Sequence, residues 1–66
     1  MKYYIVVDIE DETYYASNAF DLKENVWSLW SEPIMGTSWE TEDAALLAQE
    51  LAPPQIKFEG KVVGLC

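Results

Sequence analysis

A chain of 66 residues, half of them hydrophobic and nine of them aromatic, makes one small domain (1–66) with enough material for a packed core, which argues against wholesale disorder. Twelve carboxylates stand against four lysines, with no arginine and no histidine, for a formal net charge of −8. Phosphate backbones and anionic lipid head groups repel such a chain, so neither direct nucleic-acid binding nor membrane attachment is expected.

The one cysteine, Cys66, cannot form an internal disulfide, so packing must hold the fold, and a reducing compartment suits it. The apolar run after Lys2 is too short for a signal-peptide core, and acidic residues follow it at once. No apolar stretch has the length to span a bilayer. The expectation is a soluble cytoplasmic protein.

In chain order, the segment KYYIVVDI (2–9) is β-branched and aromatic, and alternates Tyr3, Ile5, Val7 and Ile9 against Tyr4, Val6 and Asp8. It predicts a strand, and the apolar Tyr4 and Val6 on its second face suggest a strand covered on both sides over its first half. TYYAS (13–17) predicts a second strand, joined to the first as a hairpin by the acidic turn EDE (10–12). That turn lacks the Asn-Gly or Asp-Gly chemistry of the tightest loops.

Residues 21–31 allow two readings. Asp21 and Glu24 resemble a capping box, with Leu22, Val26, Leu29 and Trp30 at helical spacing and Pro33 as a stop. Alternatively, Val26 to Trp30 forms a third strand after a polar loop. We favour the strand over 26–30, because a lone hairpin is marginal in water and a third strand gives the following helix a platform.

SEPIMGTS is then a loop with Pro33 and Gly36 as breakers. Thr41 is placed to cap a helix over 42–51, with Glu42 and Asp43 near the positive end of its dipole. Ala44, Leu47, Ala48 and Leu51 fall on one face and are expected to face the core. Pro53 sets the end of the helix near Leu51. QIKFEGKVVGL then alternates Ile56 and Phe58 with Lys57 and Glu59, which predicts strand material over 56–63, with Glu59-Gly60 as a tight turn or a bulge. The fold expected is α+β: a small antiparallel sheet of three to four strands (about 2–9, 13–17, 26–30 and 56–63) covered by one helix (about 42–51). Its expected core is Tyr3, Ile5, Val7, Leu47, Leu51, Phe58 and Val62.

Groups that move protons, attack or bind metals near neutral pH are scarce. Without histidine the commonest general base and metal ligand is missing, the serines have no imidazole partner, and the only thiol is terminal. Neither a dinucleotide-binding nor a phosphate-binding glycine loop occurs. We therefore expect no catalytic, cofactor or metal residues and no enzyme. The acidic cluster Asp8, Glu10, Asp11 and Glu12 lacks the glycine and ligand spacing of a calcium loop, and reads as a solvated hairpin end or a partner-facing patch. Trp27 and Trp30 point to opposite faces if they lie on a strand, so at least one is a candidate binding anchor. Leu46 falls on the polar side of the helix and is a further candidate contact.

The layout of KYYIVVD, TYYAS, VWSLW and SWETEDAALLAQEL followed by a short last strand resembles the small accessory proteins of phages and prophages. Pro33, Ile34, Met35 and the Pro53-Pro54 pair depart from the simplest version of that layout, and no functional residue is carried over. The resemblance implies a protein that binds a host protein. The expected function is accordingly a non-enzymatic interaction module with a protein partner. Two alternatives stand beside it: an acidic DNA-mimic inhibitor of a nucleic-acid-binding protein, and a structural subunit of an oligomer.

Overall fold

Eight β-branched, aromatic and polar residues form the strand β1, Lys2–Ile9, in the computed structural model, which describes residues 1–18 and 27–65. Four further strands follow, β2 (Glu12–Ser17), β3 (Ser28–Trp30), β4 (Ser38–Trp39) and β5 (Lys61–Leu65), with the helices α1 (Glu42–Glu50) and α2 (Pro54–Glu59) between the last two. The fold is α+β, an antiparallel sheet curled as a half-barrel with one main helix.

Strand β1 organises the sheet. On one edge its second half pairs with β2 (Val6 with Tyr15, Ile9 with Glu12), and its first half pairs with β4 (Tyr3 with Trp39, Tyr4 with Ser38). Its other edge pairs with β5 from Lys2–Leu65 to Val6–Lys61. Strand β2 therefore leaves β1 after Tyr15 and continues against β3. Thr37 fills the fork that this opens. Its amide donates to the Ala16 carbonyl at 3.1 Å, and its hydroxyl oxygen accepts from the Asn18 amide at 3.1 Å and lies 3.3 Å from the buried Ser17 hydroxyl.

Ile9 and Glu12 are partners, so the β1–β2 connection is a two-residue turn, Glu10-Asp11, shorter than the EDE turn expected. Both residues have positive φ, 51° and 67°, as the tightest hairpin turn requires. Glycine or asparagine adopts that geometry readily; a glutamate there costs on the order of 1 kcal/mol.

The strand reading of the middle segment holds for Ser28–Trp30, which pairs with β2. Residues 21–26, where the two readings differ most, lie outside the described residues, as does Cys66. The two-residue β4 was not foreseen. Its pairing depends on β1, and two residues carry no periodicity of their own.

Helix α1 starts as its sequence dictates, with Thr41 Oγ1 accepting from the Ala44 amide at 3.1 Å. Its orientation corrects the expected one. Ala45, Gln49 and Ala52 are buried and Ala48 is half-buried, whereas Leu47 and Leu51 are 63% and 67% exposed. The helix is turned by about one residue, roughly 100°, so that its small side chains meet the sheet. The core is Ile5, Val7, Ala16, Ala45, Ala52 and Ile56, with Tyr3, Ile9, Trp27, Leu29, Trp39, Ala48 and Val62 packed around it. Of the expected core, Leu47, Leu51 and Phe58 stand outside.

Residues 56–59 are a second correction: they belong to α2, and the last strand begins only at Lys61. Pro53, extended at ψ 159°, leads into Pro54 at the first helical position, where proline's fixed φ and missing amide proton favour a helix start. Ile56 drops into the core and Phe58, on another side of the turn, stays 76% exposed. Glu59-Gly60 is thus the end of a helix. A Cβ at position 60 would collide with the Ile56 carbonyl oxygen and crowd Ile5, so the corner between α2 and β5 requires glycine.

That corner is closed by the one buried polar side chain on α1. Gln49 Nε2 donates to the Gly60 carbonyl at 2.7 Å and to the Ile56 carbonyl at 3.0 Å. Replacing Gln49 with alanine takes the side-chain donor from the Gly60 carbonyl and leaves the Ile56 carbonyl with the Gly60 amide alone, and should cost about 1–3 kcal/mol in denaturant unfolding; an unchanged midpoint would show that the amide does not hold the corner.

Candidate docking surface

The two faces of β1 dictate where candidate groups go. One face carries Ile5 and Val7 into the core under α1 and α2. On the other, Val6 is buried between neighbours that include Tyr4 and Tyr15, whose rings meet edge to face at 5.9 Å.

The tryptophans take opposite faces, as a strand requires. Trp27 is half-buried on the core side, its ring stacked on Trp39 at 6.3 Å and 23°. Trp30 lies opposite Tyr15 on the second face, half-buried, its indole Nε1 donating to Ser28 Oγ at 2.7 Å. Both rings are engaged within the fold, and neither projects as a lone anchor.

The acidic cluster is divided by the hairpin. Asp8 lies on the second face, accepting from Thr13 Oγ1 at 2.9 Å and paired with Lys61 Nζ at 3.2 Å. Glu12 pairs with Ile9, on the opposite face, and accepts from the Tyr14 hydroxyl at 3.2 Å. Glu10 and Asp11 form the tip. The four carboxylates therefore present no single row, and among the described residues no group of three or more metal-ligating side chains comes together. The Thr13 hydroxyl, and then the Lys61 ammonium, lower the Asp8 pKa from its usual value. Lys2 does the same for Glu40 at the other end of the sheet, through an ion pair between β1 and the residue after β4.

Leu46 stands where it was expected, on the outer side of α1 and 43% exposed. With Phe58 it walls a shallow, open groove of about 350 Å³ between the helices, completed by Gln49, Glu50 and Lys57. The Lys57 ammonium lies over the Phe58 ring, 5.5 Å from its centroid. Leu47 is exposed as well, about 100° round the helix from Leu46 with Glu50 and Asp43 between them, and does not line the groove. Phe58 and Leu47 were both assigned to the core from the sequence. For Leu47 the signal that could have placed it outside is the run Ala45, Ala48, Gln49 and Ala52, a second face of three alanines and one amide at i, i+3, i+4 and i+7 that competes with the leucines.

Among the described residues no helix is long and apolar enough to cross a membrane.

The lowered Asp8 pKa fixes a sign. Its contribution to stability is fully present above the ordinary aspartate range and is lost as pH falls through the lowered folded value. A carboxylate-resolved NMR titration should place the Asp8 midpoint below the usual one, and Thr13→Val should raise it; an ordinary midpoint insensitive to Thr13 would contradict the geometry.

Comparison of the chain with protein families, with curated proteins and with solved structures finds no match.

Proposed function

We propose that this protein is a non-enzymatic interaction module that docks a protein partner on the outer surface of α1 and α2. The observation that carries this is the exposure of Leu46, Leu47 and Phe58 on two short adjacent helices while alanines occupy the core side. Burying a large side chain such as Phe58 contributes about 1.5–3 kcal/mol, which is free energy the monomer leaves unused and a complex can realise. Large exposed apolar side chains clustered beside a groove mark interaction sites more often than isolated ones do.

The composition agrees with a binding role. The chain has no imidazole, and its single cysteine suits a reducing cytoplasm in which a partner would be met. The likeness in layout to phage accessory proteins points the same way, toward a host protein as the partner. We prefer docking to DNA mimicry because Asp8 and Glu12 lie on opposite faces and Asp8 is engaged by Thr13 and Lys61.

Affinity capture from a lysate of the cells that encode the protein tests this reading, using wild type and the variants Leu46→Ser and Phe58→Ser, each checked for unaltered unfolding. A specific partner should survive a high-salt wash of the wild type and be lost from both variants. Capture indifferent to both substitutions, or abolished by neutralising Glu10 and Asp11 and by salt, would sink it.

A further inference from the structure

The nature of the occupant can be taken further, on the footing of the docking reading above. The groove is walled by side chains of two helices, and the amide on its lining, Gln49 Nε2, is spent on the Gly60 and Ile56 carbonyls. It offers apolar walls and an aromatic ring in place of an open strand edge, which suits a helix laid in a groove better than an added strand. Its volume, about 350 Å³, is at the small end of ligand sites and matches one or two large apolar side chains.

Charge selects among occupants. Between residues 42 and 59 the chain carries Glu42, Asp43, Glu50 and Glu59 against Lys57 alone, a net charge of −3, and all five are exposed. Glu50 lines the groove itself. Two copies meeting through this surface would set four carboxylates against four, on chains that each carry −8. An anionic lipid surface meets the same repulsion. Lys57 already lies over Phe58 on one side of the groove, so cations of an occupant are directed to Glu50 instead.

We propose that the groove between α1 and α2 binds an amphipathic helix of another protein, one that inserts a large apolar anchor between Leu46 and Phe58 and sets lysine or arginine against Glu50 and the neighbouring carboxylates. The apolar anchor supplies most of the affinity, and the charges supply orientation and discrimination against acidic helices.

Two fluorescent model peptides test the pairing against the full chain. They share one leucine stripe on a helix and differ in carrying lysine or glutamate on its flanks. Anisotropy titration should show the lysine peptide binding at least tenfold more tightly than the glutamate peptide. Phe58→Ser should weaken the lysine peptide at least tenfold, and Glu50→Lys several-fold. Amide shifts on binding should centre on Leu46, Glu50 and Phe58. Absence of binding, equal binding of the two peptides, affinity untouched by Phe58→Ser, or shifts centred on the Glu10-Asp11 turn would each overturn the proposal. A dimer in sedimentation that Phe58→Ser dissociates would also overturn it, with a second copy as occupant. Any of these results can coexist with Phe58-dependent capture of a native partner; the loss of that capture is what removes the docking reading itself.

Discussion

The close seating of α1 on the sheet is the constraint from which the remaining geometry follows. Ala45 on α1 and Ala52 just past its end meet the core with almost no side chain, so the helix lies near Ile5 and Val7, and Ile56 from α2 fills the space beside them. A core this thin suits a 66-residue chain, which buries a smaller share of its surface than a larger domain and gains little from adding volume. The consequence is geometric: α1 cannot present alanines and leucines to the sheet at once, so the leucines turn outward.

Closing this short structure takes polar groups placed at its joints. Thr37 bridges the fork where β2 departs from β1, and Gln49 closes the corner between α2 and β5. Lys61 on β5 meets Asp8, and Lys2 meets Glu40, so two of the chain's few cations tie neighbouring segments across the sheet. These exposed pairs contribute little to stability singly, but they engage two carboxylates that might otherwise be read as free recognition groups. The outer side of α1 and α2 then sets large exposed apolar side chains among carboxylates; Ile34, ahead of β4, is exposed as well.

Much of the sheet was legible in the sequence because its periodicity is strong. Tyr3 to Ile9 alternate over seven residues, Thr13 to Ser17 follow at hairpin distance, and Thr41 marks the helix start. The illegible parts share a physical cause. Ile56 and Phe58 alternate over a stretch too short to separate a period of two from one of 3.6, and only Pro54 at the first helical position favours a helix. Ser38–Trp39 is a strand solely because β1 pairs with it. On α1 the sequence offers two apolar faces, and choosing the bulkier one assumes that larger side chains go inside. That assumption fails where close approach to the sheet decides. Leu46 was identifiable as exposed because it stood among charges; Phe58 was not, because a strand would have turned it inward.

The orientation of α1 is therefore the claim on which both the fold and the docking surface stand, and the unfolding free energy of Leu47→Ala tests it most directly. An outward Leu47 predicts a change within about 0.5 kcal/mol of wild type, as for substitutions on an open surface. A loss of about 2–5 kcal/mol, the cost of emptying a leucine site in a packed interior, would place Leu47 against the sheet and contradict the account.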